Sequence, residues 1–298
     1  MSKAYIFVII TALLFGTMEV SCKIGAASLD PFQLTFIRFV IGGALLLPFA
    51  VTHLRKHHIR ISAVDHLKLA GAGILGVSIS MSLFQLAIVM CNASTVAVLF
   101  CVNPFFTMVF AHFLTDEKLN RHKAIVLFFA LLGIFFMLRH WDVQEGNSVL
   151  GMGLMLLAAV VFGLYTIISK ESQKKLGLMT QTSISFLYGS AVLLILLIVT
   201  GRPVIDGLSE SIPIVIYTGI LVTGLGYYCY FKAIELADAA TGAFAFFIKP
   251  VIAPIAAVIV LREKILWNTA VGIILILIAS FINIRYQKRN LYGKNNKQ

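Results

Sequence analysis

Four side chains carry charge inside otherwise apolar runs: Glu19, Lys23, Arg38 and Lys249. An ionisable group in hydrocarbon costs at least ~2.5–3.5 kcal/mol on insertion scales, so each is by default a functional candidate. Lys249 lies about nine residues into its run, ~13 Å deep at the helical rise and near the midplane of a ~30 Å core. Asn103 holds a similar depth in another run, and each of the two precedes a proline, Pro104 or Pro250. Proline removes a helical hydrogen bond and clashes with the carbonyl four residues back. The expected kinks free the carbonyls of Leu99 or Phe100, and of Ala245 or Phe246. Spare polar groups beside a buried cation suit a carboxylate or another anion. The competing reading pairs Lys249 with Glu19 and merely holds two helices together.

Glu19 is the one acid deep in any run, so it is the candidate for proton coupling as well as for binding. Its alternative is a structural ion pair, with Lys249 or with Lys23 four residues on. Arg38 offers a planar fork suited to a carboxylate, or serves the architecture. Lys23 sits at a helix end, where snorkelling explains it. Around these charges the runs carry Ser78, Ser80, Ser82 and Gln85, then Tyr165, Thr166 and Ser169, then Tyr227 and Tyr228. Glycines near them allow close helix approach, and small-residue packing accounts for much of this pattern. The expected substrate-binding set is Lys249, Asn103, Arg38, Glu19, Thr166, Tyr165, Gln85 and Tyr228. Phe244, Phe246 and Phe247 flank Lys249 and either shape an apolar wall or pack elsewhere.

Such residues need elements that hold them in a membrane. The chain has 298 residues, 59% hydrophobic and only 12% charged. That excludes an ordinary soluble enzyme, a disordered chain and a nucleic-acid module, since a soluble exterior must be mostly polar. About 20 apolar residues cross a bilayer. Ten such runs can be read, at about 4–25, 32–51, 67–89, 95–114, 122–139, 149–169, 181–200, 212–231, 240–261 and 266–285. The first is too long for a signal peptide and holds Glu19 and Lys23. With the N-terminus inside, 17 Lys and Arg fall on the inner side and 4 on the outer. Both termini are therefore expected in the cytoplasm of a cell (plasma or inner) membrane protein.

The two halves repeat. At a shift of 147, Phe15-Gly16, Lys23, Thr35, Phe39, Gly42 and Ala44 match Phe162-Gly163, Lys170, Thr182, Phe186, Gly189 and Ala191. At a shift of 146, Ala87-Ile88, Thr95, Ala97, Phe100, Pro104 and Glu117-Lys118 match Ala233-Ile234, Thr241, Ala243, Phe246, Pro250 and Glu263-Lys264. Five spans per half force the second copy to enter upside down. The predicted fold is an all-α membrane protein of two inverted five-helix repeats, 1–145 and 146–298. Such repeats are the usual frame of alternating-access carriers.

The segments Asn103-Pro104 through Glu117-Lys118 and Lys249-Pro250 through Arg262-Glu263-Lys264, with Phe15-Gly16 and Arg38-Phe39, resemble the drug/metabolite transporter superfamily in its EamA-type branch. The resemblance covers nearly the whole chain. It implies secondary transport of small metabolites, often export of amino acids, without a nucleotide-binding domain. The charges within the runs sum to +2 (three basic, one acidic), which favours zwitterionic or anionic solutes. Alternatives are an exchanger of larger organic anions such as phosphorylated sugars, or a non-transporting scaffold or intramembrane enzyme. The histidines His53, His57, His58 and His66 read as a wet basic loop rather than a metal site, and no cofactor or nucleic-acid partner is expected. The four cysteines, without CxxC spacing, read as free thiols.

Overall fold

The computed structural model describes all residues except 1–2, 116–120, 138–145, 237–238 and 296–298, and omits the side chains of 122–123, 137, 239–244, 247, 280 and 283–295. The described residues form helices and no strand. In chain order they are α1 (Lys3–Gly25), α2 (Pro31–Lys56), α3 (Ala63–Met90), α4 (Ala93–Leu114), α5 (Arg121–Met137), α6 (Val149–Leu176), α7 (Leu178–Val199), α8 (Leu208–Leu236), α9 (Ala239–Leu261) and α10 (Trp267–Asn295). Among the described residues, seven of them, α1–α4 and α6–α8, are long and apolar enough to cross a membrane. In α5, α9 and α10 the fully described apolar stretches are Ala124–Phe136, Ile248–Leu261 and Trp267–Ala279. Isoleucine, leucine, valine and phenylalanine side chains stand exposed along the outsides of the helices, which is the surface of a multi-pass membrane protein rather than of a water-soluble one.

Local chemistry explains where the helices begin and end. At the start of α2, Asp30 accepts from the backbone N–H of Phe32 at 2.8 Å, Gln33 answers with a return bond, and Pro31 fills the first turn. Ser62 and Asp65 cap α3 in the same reciprocal way. Each device satisfies amide groups that a helix start otherwise leaves bare. Gly177 ends α6 and begins α7 at φ 86°, where a side chain would be strained. Two helices carry a wide π-turn stretch, Ile74–Met81 in α3 and Ile216–Leu225 in α8.

The principal packing partners make a closed circuit: α1 on α8, α8 on α2, α2 on α7, α7 on α3, α3 on α6, α6 on α4, α4 on α9, and α9 back on α1. Neighbours in this circuit always come from opposite halves of the chain. Helices α5 and α10 pack on each other beside it.

Positions that match in sequence make matching contacts. The Phe15 and Phe246 rings lie 5.5 Å apart, and Phe162 and Phe100 lie 5.3 Å apart. Phe84–Phe100 at 5.0 Å has its counterpart in Tyr230–Phe246 at 5.2 Å. Phe39 and Phe186, which match each other, meet edge-on at 4.7 Å. The glycines follow the same rule. A methyl added to Gly42 would lie 2.9 Å from Thr223 Cβ, and one added to Gly189 would lie 2.6 Å from Val77 Cβ. A methyl on Gly16 would lie 2.7 Å from Ile252 Cβ, and one on Gly163 3.0 Å from Phe106 Cβ. These are backbone approaches that only glycine allows.

Candidate functional site

The turn of α1 from Glu19 to Cys22 faces the middle of the circuit. Just before it, α1 is stepped at Thr17, whose hydroxyl meets that of Tyr217 at 2.6 Å. Glu19 is fully buried, and its Oε1 lies 2.6 Å from Lys249 Nζ of α9. This contact is an ion pair off the line of a hydrogen bond, and Glu19 Oε2 has no partner among the described residues. Lys249 is itself 3% exposed. Its ammonium stands 5.5 Å from the centroid of Phe100, a cation–π contact contributed by α4.

Arg38 is 1% exposed and has no carboxylate within ion-pair reach among the described residues. Its Nη1 donates to Cys22 Sγ at 2.9 Å and its Nη2 to Met81 Sδ at 3.6 Å, while Nε has no partner among the described residues. The guanidinium carbon lies 4.7 Å from the Phe39 ring and 5.9 Å from Phe84. Weak sulfur acceptors and ring faces leave much of this charge uncompensated. Gln85 donates from Nε2 to the Cys22 carbonyl at 3.2 Å, and its Oε1 is unpartnered. Cys22 thus joins Arg38 and Gln85 to the Glu19 turn, within electrostatic reach of Lys249. Ser82 and Thr95 add two more buried hydroxyls without partners among the described residues.

The other expected residues stand elsewhere. Thr166, which matches Glu19, donates back to the Phe162 carbonyl at 2.8 Å. Tyr165 is buried against Gly76 and its ring lies 5.2 Å from Phe162. The Tyr228 ring lies 4.8 Å from that of Phe49, tilted by 45°, and Phe49 lines a cavity of about 450 Å³ between the ends of α2 and α8 and the start of α7. His53, Lys56, His57, Lys232 and Glu235 line that cavity. Among the described residues no group of His, Cys, Asp and Glu could hold a metal ion. Phe246 packs between Phe15 and Tyr230. The side chains of Phe244 and Phe247 lie outside the described residues.

Several expectations change. Pro104 does not kink a continuous helix: α4 breaks at Cys101-Val102, and Pro104 occupies the first turn of the new segment Asn103–Leu114. The carbonyls of Leu99 and Phe100, expected to be spare, are used. The Asn103 side-chain amide donates to Phe100 O at 2.9 Å, and Val102 N–H to Leu99 O at 3.3 Å. Asn103 therefore stabilises the break it sits at. Pro250, by contrast, lies within α9, which runs on past it and past Pro254. Lys23 does not pair with Glu19. Its ammonium donates to the carbonyls of Ile88 and Cys91 at the end of α3, where a cation complements the helix dipole.

The chain also carries contacts that reading the residues one by one missed. Glu263 Oε1 accepts from Ala93 N–H at 2.6 Å, and Oε2 from Ser94 N–H at 3.0 Å and the Ser94 hydroxyl at 2.6 Å. It caps α4 across the circuit, where the local N-cap residue Asn92 makes no side-chain cap. On the same face Arg202 pairs with Asp30 at 2.7 Å, Ser28 meets Ser211 at 2.8 Å, and Gln33 donates to Asp206 O at 2.8 Å. The opposite face is tied by Lys175–Asp65 at 2.6 Å and Lys68–Glu171 at 2.9 Å. The repeated Glu-Lys pair, Glu117-Lys118 and Glu263-Lys264, is the signal in the sequence that points to Glu263.

A helical membrane bundle with buried charges at contacts between its halves is the frame of a membrane transport protein. The profile of the EamA-like transporter family matches residues 2–139 and again 149–285, and the chain belongs to that family. It is 40% identical over 296 residues to an uncharacterized transporter of Clostridium kluyveri, covering 97% of this chain and 95% of that one. It is 24% identical to the S-adenosylmethionine uptake transporter of Rickettsia prowazekii, covering 94% and 92%. A solved protein structure superposes with a TM-score of 0.66 at 17% identity, covering 97% of this chain and 98% of that one. These similarities extend from end to end, and they make this a small-molecule transporter of the drug/metabolite transporter superfamily.

Proposed function

We propose that the protein is a secondary-active carrier of small zwitterionic or anionic solutes, amino acids first among them, working by alternating access. In this reading all ten helices span the cell membrane as two inverted five-helix repeats, 1–145 and 146–298, with both termini in the cytoplasm. The two matches of one family profile and the paired ring and glycine contacts support the repeat. An odd helix number per half supports the inversion.

The observation that carries the proposal is the Glu19–Lys249 pair at 2.6 Å, buried where α1 of one half meets α9 of the other. Around it stand the Arg38 guanidinium, without a carboxylate partner among the described residues, and the Gln85 and Thr95 oxygens, without hydrogen-bond partners among them. The matching positions are Thr166 for Glu19, Ser185 for Arg38, Phe231 for Gln85 and Asn103 for Lys249. The charges are thus concentrated on one side of a nearly symmetric frame. A solute carboxylate would meet Lys249 and Arg38, and a solute ammonium the Glu19 and Gln85 oxygens. The solute of the Rickettsia relative, by its printed name, is itself an amino-acid derivative.

As a secondary carrier the protein moves solute as the gradients dictate, and export is the direction the family resemblance implies. The Asp30 face would be external and closed by the Asp30–Arg202 and Glu263–Ser94 contacts. The cavity beside His57 would be the cytoplasmic mouth. The test is uptake and efflux of radiolabelled amino acids and organic acids by the purified protein in liposomes. A saturable flux that Lys249→Gln abolishes is expected; no flux of any solute under any gradient would overturn the proposal.

A further inference from the structure

We propose that the basic cavity between α2, α7 and α8 holds the phosphodiester headgroup of an anionic phospholipid, whose acyl chain lies along the exposed seam where α2 packs on α8. The inference goes beyond the carrier reading. In that reading the headgroup would stand at the rim of the cytoplasmic mouth, between helices of the two halves.

Three observations lead to it. First, the cavity gathers donors suited to a phosphate from opposite halves of the chain. His53, Lys56 and His57 come from the last turn of α2 and its cap, and Lys232 from the end of α8. Glu235, the acid among the described lining residues, already pairs with Lys232 at 2.8 Å. With neutral histidines the described lining therefore sums to +1 (Lys56 and Lys232 against Glu235), which matches a phosphodiester monoanion. The His53 and His57 rings, 4.6 Å apart, each offer an N–H. Leu178 and Met179 line the cavity from the first turn of α7, where a helix start favours negative charge.

Second, the polarity is graded as it is in a lipid. Leu45, Phe49, His53 and Lys56 follow one another at helical spacing along one face of α2. Leu45 and Phe49 are exposed on the outside of the bundle. The Tyr228 ring of α8 lies 4.8 Å from Phe49, and Leu225, one turn before it, is exposed as well. Apolar surface thus runs into the basic cavity over ~16 Å from Leu45 to Lys56 at the helical rise. A soluble phosphate ester would use only the basic end. A basic pocket between membrane helices is a general seat for an anionic headgroup. Third, the frame does not require these charges. At the shifts of the repeat, His53, Lys232 and Glu235 match Thr200, Leu86 and Val89, so the corresponding helix ends of the other half do without them.

The test is native mass spectrometry of the purified full chain in detergent micelles, titrated with phosphatidylglycerol or with phosphatidylcholine of the same acyl chains. One phosphatidylglycerol per chain should bind about tenfold more tightly than phosphatidylcholine. Lys56→Gln/Lys232→Gln should lose that preference. Lys68→Gln, which alters the exposed pair with Glu171, should keep it. Glycerophosphoglycerol, the same headgroup without acyl chains, should not displace the lipid at equal concentration. Equal retention of the two lipids by wild type, or an unchanged preference in the double variant, overturns the site. Displacement by equimolar glycerophosphoglycerol would make the ligand a soluble phosphodiester and overturns the lipid assignment. Should the double variant fail to fold, the lipid comparison and the headgroup competition on wild type still decide. Binding is read without flux. Failure of the site therefore leaves the carrier reading standing, and absence of solute flux in liposomes leaves the site standing.

Discussion

Replacing Lys249 with methionine keeps the unbranched side chain to within one atom of its length and removes its charge, which isolates the ion pair. The pair lies at 2.6 Å, with Glu19 0% and Lys249 4% exposed at the side chain, so water cannot take the place of the lost ammonium. Removing one member of such a pair costs about 3–5 kcal/mol, whereas replacing both by neutral groups is often neutral or better. Lys249→Met alone should therefore lose roughly that amount, and Glu19→Gln/Lys249→Met should regain most of it, giving a coupling energy of about 3 kcal/mol. The assay is reversible unfolding in mixed detergent micelles for wild type, both single variants and the double. A Lys249→Met variant within about 1 kcal/mol of wild type, or a double variant as unstable as the two singles summed, would refute the buried pair as described.

Other residues carry their own expectations. Gly189→Ala forces a methyl to 2.6 Å from Val77 Cβ and should cost about 1–3 kcal/mol by overpacking, whereas Gly153→Ala, with open space around it, should unfold like wild type. Glu263→Ala removes three bonds to the start of α4, so about 1–3 kcal/mol should be lost in the same unfolding assay. Arg202→Ala breaks a pair in which Arg202 is 44% exposed, and the change should stay within about 1 kcal/mol and fade with added salt. Ser28→Cys/Ser211→Cys places two thiols where hydroxyls now meet at 2.8 Å; oxidation should form a disulfide that stops transport and reduction should restore it.

The sequence made the helical membrane fold legible because apolar length has a direct physical meaning in a bilayer. The matched residues Gly42, Gly189, Phe39 and Phe186 stood out because close contacts demand their particular sizes and shapes. The charged candidates Glu19, Arg38 and Lys249 stood out against apolar surroundings, and the structure gathers them around Cys22. Their partners were not legible. Lys23 could reach Glu19 along one helix face, but it takes the α3 carbonyls instead because α3 ends beside it. Arg38 takes the sulfurs of Cys22 and Met81, whose types advertise no bond to a guanidinium. Tyr228 and Thr166 looked equivalent to Gln85 by polarity alone. Helix rotation within the circuit turns Tyr228 to Phe49 and lets Thr166 bond its own backbone. Partner choice depends on the order and rotation of packed helices, which a single chain's residue types do not specify.

The central claim is solute passage controlled by the buried pair where the two halves meet. Its most direct test is the saturable flux of radiolabelled amino acids into liposomes holding the purified protein, run side by side for wild type, Lys249→Gln and an exposed control, Lys68→Gln. Flux by wild type and Lys68→Gln, with loss of at least tenfold in Lys249→Gln, is the predicted result. Equal flux and the same solute range in Lys249→Gln would contradict the account.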